Sequence, residues 1–514
     1  MGARPGSLPL SPHPLLIGDI FRRNAALLPN RVAASLEDTE LSYGELDRRG
    51  NRMAWTLREL GIGHGDRIVT WADTCLEVLP LFVAAAKLGA TFAPVNARLG
   101  PDEAAAVVSL ARPVLLAVDA EHARDATRVA RTAGVRHLAL LQDGDRRGAI
   151  DLRPAALSLR DDDVSEARLR ETDPHVLFFT SGSSGRPKGV VLSHRANYLR
   201  SFQGVFRDVP EKSVCMFPLF HMAAFTLGLA AWQTRGEVAF VRAASADAIL
   251  AAVERRRANR LYGIPLVWSR ILEVPDGRYD LSSLRELDTG TQAVPIELVR
   301  ALKQRFPGTA TRIYYGSTEA GSGTTLADAD VFRKPGSVGP PSPGVELKLL
   351  DDGEICVRSA YLCDGYFDDP VATAEALHEG WFHSGDLGEL DEEGHLHVVG
   401  RKKDVIRSGG ESVAPSEVEH ALADHPGIAD IAVVGIPDAE WGEVVCAIVV
   451  PVKGERVDLA SLRQHCEGRL AGFKKPRRMA RTDAIPRTAA TAQIQRPLLV
   501  ERLQSGALPV ERER

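Results

Sequence analysis

The stretch that most constrains this chain runs from Leu177 to Gly189, LFFTSGSSGRPKG. Leu177, Phe178 and Phe179 read as a buried strand. From Thr180 to Gly185 every side chain is then Thr, Ser or Gly, and Lys188 follows. Small residues let backbone amides approach an anion closely, hydroxyls add donors and the lysine adds charge. Thr180, Ser181, Gly182, Ser183, Ser184, Gly185 and Lys188 therefore form a candidate polyphosphate cradle. A flexible linker would not follow an apolar strand so directly or end in RPKG, and the GxxxxGK[ST] pattern of a Walker loop is not met.

A chain of 514 residues exceeds what one hydrophobic core organises, so more than one domain is expected. With 44% hydrophobic and 25% charged residues it reads as globular, and a net charge of −5 with dispersed basic residues argues against nucleic-acid binding. The six cysteines show no CxxC pairing, which predicts reduced, buried thiols in a cytoplasmic protein. The proline-broken N-terminus makes a poor signal peptide, and no run is long enough for a membrane span.

The hydrophobic pattern alternates between helix and strand periods. Helices are expected over Ile17–Leu28, from a Ser42/Glu45 capping box to Leu60, and over Leu76–Leu88, with strands at Val32–Leu36, Arg67–Trp71 and Thr91–Val95. A second round spans Val114–Val118, His122–Ala133 and His137–Leu141. This alternation predicts a doubly wound α/β layer. Residues 142–172 read as a polar surface excursion. Ser193 caps a further helix, and Ser213–Phe220 reads as a strand that ends at His221. Glycine-rich hairpins from Gly336 to Val357 predict a β-subdomain, and the last hundred or so residues a compact α+β unit.

TSGSSGRPKG resembles the phosphate loop of the adenylate-forming superfamily, which includes acyl- and aryl-CoA synthetases, peptide-synthetase adenylation domains and luciferases. Further motifs extend the resemblance, in the family's order, over nearly the whole chain, and it lies closest to acyl-CoA synthetases. The implied fold is α/β: a large N-terminal domain of doubly wound α/β layers plus a β-subdomain (1–400), and a small mobile α+β C-terminal domain (401–514).

The resemblance also implies roles. Tyr314-Tyr315-Gly316-Ser317-Thr318-Glu319 matches the YGxTE element, in which Tyr315 would face adenine, Thr318 a phosphate oxygen and Glu319, with Thr180, a magnesium ion. Asp288-Thr289-Gly290-Thr291-Gln292-Ala293 stands where relatives carry a GGAPL-like turn against adenine and substrate; a plain strand-to-helix turn is the alternative. His221 in PLFH would line the acid pocket. Asp386 in WFHSGDLG would accept from the ribose hydroxyls, Arg401 would contact nucleotide, and Lys403 would be the hinge about which the C-terminal domain turns. The implied activity is an ATP-dependent acid–CoA ligase using Mg2+ and coenzyme A, with a carrier-protein thiol or an amine as other acceptors.

One position departs from the family. Where relatives end in PRTxxGK, this chain reads Pro486-Arg487-Thr488-Ala489-Ala490-Thr491-Ala492-Gln493, one residue longer; aligned on Ile494-Gln495-Arg496, Ala492 stands for the glycine and Gln493 for the lysine that in relatives touches the substrate carboxylate and α-phosphate. An amide donates a hydrogen bond but does not neutralise phosphoryl charge, and losing such a contact costs on the order of 3 kcal/mol, about a hundredfold in rate. Slow adenylation, recruitment of Lys474, Arg487 or Arg496, a deliberate substitution, or altered chemistry such as ATP-dependent nitrite activation for diazotisation of an arylamine each account for it, as does a nucleotide sensor or scaffold. With Gln493 in place, Lys188 becomes the main lysine serving the phosphates.

Overall fold

The computed structural model describes residues 15–143, 148–153, 157, 159–181, 187–202, 209–408, 411–488 and 492–512, with Ser181 described in its backbone alone. Two eight-stranded sheets form most of the large domain. In the first, strands Val32–Leu36, Glu237–Phe240, Lys212–Cys215, Arg260–Tyr262, Glu286–Gly290 and Ala310–Ser317 run parallel, and antiparallel strands Thr39–Ser42 and Gly321–Leu326 close the edges. The second is parallel from Ile150–Asp151 through His137–Leu140, Leu115–Val118, Arg67–Trp71 and Thr91–Val95 to Pro174–Ser181. It ends in the antiparallel strands Pro187–Ser193 and Gly365–Tyr366.

Helix Val78–Leu88 is buried on every face, as its continuous apolar sequence requires. Phe82 packs on Phe92 of the second sheet at 5.5 Å and on Phe225 of helix Met222–Gln233 at 4.9 Å, so one core joins both sheets. A ring buried in this way contributes about 2–3 kcal/mol. Lys87, fully buried on the same helix, is balanced by Asp47 at 2.7 Å and Asp163 at 3.0 Å. Asp163 and the buried Val164 belong to the segment expected to be a surface excursion; that segment is instead stitched into the core by its scattered apolar and acidic side chains. The capping box at Ser42 is half made. Ser42 accepts from the Glu45 amide, whereas the Glu45 carboxylate turns to Arg48 and Arg49, whose charge is the stronger attraction.

A five-stranded sheet, Val345–Leu349, Glu354–Ser359, Trp381–Leu390, Leu377–His378 and Leu396–Arg401, follows. The C-terminal unit has a six-stranded sheet in which Ile428–Asp438 and Gly442–Pro451 form a long antiparallel pair. Helix Pro415–Leu422 packs against it, with proline at its first turn, where a missing N–H costs nothing.

Candidate active site

The carboxyl ends of the first sheet's parallel strands, the end of strand Pro174–Ser181, the five-stranded sheet and the C-terminal segment around Gln493 enclose one large cavity of about 1730 Å³. In open parallel sheets the carboxyl ends are where ligands bind. Of the residues expected from sequence, Thr180, Lys188, His221, Thr291, Tyr314, Tyr315, Gly316, Ser317, Thr318, Glu319, Arg401, Lys403 and Gln493 all line it. Gly182, Ser183, Ser184 and Gly185 lie outside the described residues.

Gly290 and Gln292 are absent from the cavity wall, while Thr291 between them is on it. A Cβ at 290 would collide with the Tyr314 carbonyl of the neighbouring strand, which is why glycine stands there. Thr291 adopts φ +67°, a left-handed conformation costly for a β-branched residue.

Asp386 sits behind the wall, 7% exposed. Tyr315 Oη donates to it at 2.8 Å and the Arg401 guanidinium pairs with its other oxygen at 2.6 Å. Burial raises the Asp386 pKa, and Arg401 and the Tyr315 hydroxyl oppose that rise. The residues expected to meet adenine, ribose and nucleotide thus form one connected unit.

Glu319 Oε1 accepts from the Tyr366 hydroxyl at 3.0 Å, and the Lys188 ammonium lies 4.8 Å from the centre of the Tyr366 ring. Burial, then the Glu319 charge, raises the Tyr366 pKa, so it is a neutral donor. Tyr366 escaped the sequence reading because pairing of Gly365–Tyr366 with Pro187–Ser193 is what brings it to Lys188. Among the described residues no cluster of three His, Cys, Asp or Glu side chains could hold a metal alone. A lone carboxylate beside a phosphate site fits magnesium, which keeps its waters and takes most other oxygens from nucleotide.

The strand expected to run to His221 stops at Cys215. His221 instead caps helix Met222–Gln233, its Nδ1 accepting from the Ala223 amide at 3.2 Å. That bond leaves the proton on Nε2, and burial lowers the His221 pKa to about 4, so the ring is neutral. It stacks on Phe217 at 5.4 Å and 16°. Phe220, Met222, Leu227, Tyr262 and Tyr314 line the same part of the cavity.

On the C-terminal side, Thr488 and Gln493 are tied by Thr488 N to Gln493 O at 2.8 Å and Gln493 N to Thr488 Oγ1 at 3.0 Å. Ala492, the residue before Gln493, has φ +53°. Of the substitute cations suggested by sequence, only Arg487 lines the cavity, and Asp430 holds it at 2.7 Å. Lys474 is paired with Glu417 and Arg496 with Glu419, both off the cavity wall, because helix Pro415–Leu422 presents its acids to them.

Residues 21–367 match the AMP-binding enzyme family and residues 417–491 its C-terminal domain. The chain belongs to the AMP-binding enzyme family. Feruloyl-CoA synthase from an Amycolatopsis species is 37% identical over 487 residues, covering 91% of this chain and 95% of that protein. Indoleacetate–CoA ligase of Aromatoleum aromaticum is 34% identical over 488 residues, covering 91% and 94%. The structure of o-succinylbenzoate CoA synthetase from Bacillus subtilis, in complex with its acyl-adenylate intermediate, superposes with a TM-score of 0.81 at 25% identity, covering 93% of this chain and 97% of that one. The fold is that of the adenylate-forming enzymes, and the chain is an AMP-forming acid–CoA ligase that uses ATP, Mg2+ and coenzyme A. Neither the nitrite-activating nor the sensor alternative is favoured by these relatives.

Proposed function

We propose that this ligase activates an aromatic carboxylic acid and passes it to the thiol of coenzyme A, rather than to a carrier protein or an amine. The observation that carries the reading is the aromatic arm of the cavity, built by Phe217, Phe220, neutral His221, Met222, Leu227, Tyr262 and Tyr314, with Arg260 and Arg312 at its Tyr314 end already engaged by Asp288 and Glu286. Ring edges and faces there suit a planar substrate. Two relatives named for aromatic acids, feruloyl and indoleacetate, support it.

In this reading Thr180, Ser181, Lys188 and Thr318 hold the phosphates, Tyr315 faces adenine, Arg401 contacts the nucleotide, and Asp386 takes the ribose once an oxygen is released by Tyr315 or Arg401. Glu319 would hold magnesium, which neutralises charge on the leaving pyrophosphate. The substrate carboxylate attacks the α-phosphorus in line, pyrophosphate leaves, and an acyl-adenylate remains. His221 closes the acid arm and keeps water from it. The C-terminal unit, from about residue 401, then turns about Lys403 to withdraw the Gln493 loop and admit the thiol. Six buried, unpaired cysteines support a cytoplasmic setting.

ATP–pyrophosphate exchange over a panel of hydroxycinnamate, indoleacetate, octanoate and nitrite tests this. Exchange led by the aromatic acids is expected; exchange led by octanoate or nitrite would overturn it.

A further inference from the structure

Arg200, in helix His194–Ser201, gave no signal in the sequence, since an arginine in a surface helix is ordinary. In the fold it is 5% exposed and runs beneath the turn that follows strand Ala310–Ser317. Its Nη1 donates to the Thr318 carbonyl at 2.7 Å, its Nη2 to the Glu319 carbonyl at 2.6 Å and its Nε to the Tyr361 carbonyl at 2.8 Å. Among the described residues no carboxylate lies within salt-bridge distance of it. Burial lowers its pKa to about 10, so at neutral pH it is still charged. Carbonyl dipoles satisfy its donors without cancelling that charge, and the cavity wall passes through it.

The turn is shaped around this side chain. Gly321 adopts φ +72°, and a Cβ there would stand 3.1 Å from Arg200 Nε and 3.3 Å from its Cγ. Three converging carbonyls and a glycine cut to fit make a built seat for one guanidinium, with Thr318 and Glu319 on its rim.

We propose that Arg200 is the positioning residue of the adenylation turn, clamping Thr318 and Glu319 by their carbonyls and setting positive charge behind the wall that meets the phosphates. The proposal rests on the reading of Thr318 and Glu319 as phosphate- and metal-facing groups. It predicts a selective defect. Removing the clamp harms the half-reaction that needs Mg–ATP and spares the one that starts from the finished adenylate.

The test compares full-length wild type, Arg200→Lys and Arg200→Gln in two assays. One is acid-dependent pyrophosphate release over a Mg–ATP titration; the other is thioester formation from pre-formed acyl-adenylate. Melting temperatures are measured alongside. For Arg200→Gln, kcat/KM for Mg–ATP should fall about thirtyfold, the loss expected for hydrogen bonds made by a charged group, with thioester formation within about twofold of wild type. Arg200→Lys, which keeps the charge, should recover most of that loss. If Arg200→Gln does not fold, Gly321→Ala, which displaces Arg200 without removing it, should show the same split. Equal loss in both half-reactions, in step with melting temperature, would overturn the proposal, as would an Arg200→Gln enzyme with unchanged Mg–ATP kinetics. Absence of acid-dependent pyrophosphate release in wild type would instead overturn the functional reading itself.

Discussion

The two sides of the cavity are built on opposite principles. On the large-domain side, Glu319, Tyr366, Lys188 and Arg200 are interlocked, and Asp386, Tyr315 and Arg401 form a second connected set. On the C-terminal side a neutral Gln493 is offered by a loop that carries Ala492 in a left-handed conformation, and the nearby Arg487 is already committed to Asp430. Preorganised charge on the large-domain wall acts in every turnover, whereas under the proposed rotation charge on the C-terminal side would act only while that unit is docked. In the proposed reading, phosphate stabilisation in this ligase falls chiefly to the large-domain wall.

The largest expected effect breaks the large-domain side. Glu319→Gln should reduce adenylation on the order of 1,000-fold, and Lys188→Ala on the order of a hundredfold, both read by pyrophosphate release under single-turnover conditions. The next sharpens the C-terminal side. Gln493→Lys should raise the adenylation rate by up to about a hundredfold, while thioester formation from pre-formed adenylate stays within about twofold.

A smaller effect concerns stability away from both walls. His175 and His194 are fully buried, their rings 4.6 Å apart. Nδ1 of His175 accepts from Asn197 and Nδ1 of His194 from the Ile17 amide, and each Nε2 has no partner. Burial lowers the pKa of His194 to about 3 and that of His175 well below its ordinary value, with Asp173 working the other way on His194 and His64 adding to the lowering. The unfolded chain then binds more protons than the folded one below about pH 6.5. Stability is therefore complete above that pH and falls on acidification, by at most about 1.4 kcal/mol per pH unit per ring. Denaturant titrations from pH 7 to pH 5 should show this slope, and His194→Gln should flatten it.

The smallest effects test two of the eight non-glycine residues at positive φ among the described residues, Thr291 and Ala492. Ala492→Gly and Thr291→Gly should each stabilise the protein by roughly 1 kcal/mol, read by urea denaturation, since glycine adopts positive φ without a Cβ penalty. Thr291→Gly should in addition widen the acid range, because Thr291 is on the cavity wall.

Much of the large-domain side was legible in the sequence because its groups lie in contiguous motifs at strand ends, as with Thr180 and Lys188 or Tyr315 through Glu319. The alternation of helix and strand periods gave the parallel layers for the same reason. What was hidden depends on contacts distant in the chain. Tyr366 reaches Glu319 through an edge-strand pairing, and Arg200 reaches it through the packing of a helix whose local sequence is unremarkable. His221 looked like the end of a strand because Met216–Phe220 is apolar; those residues are buried as an irregular run leading into a helix. The pairing of Lys474 and Arg496 with helix-borne glutamates could not be read from spacing either, since partners and cations are 57 and 77 residues apart.

The central claim, that the large-domain wall carries phosphate stabilisation and Gln493 does not, is tested most directly by a double-mutant cycle. Single-turnover pyrophosphate release is measured for wild type, Lys188→Ala, Gln493→Lys and the double variant with the same aromatic acid. The account predicts a severe loss for Lys188→Ala that Gln493→Lys partly restores, because a lysine on the loop then replaces charge missing from the wall. A wild-type rate insensitive to Lys188→Ala would contradict it.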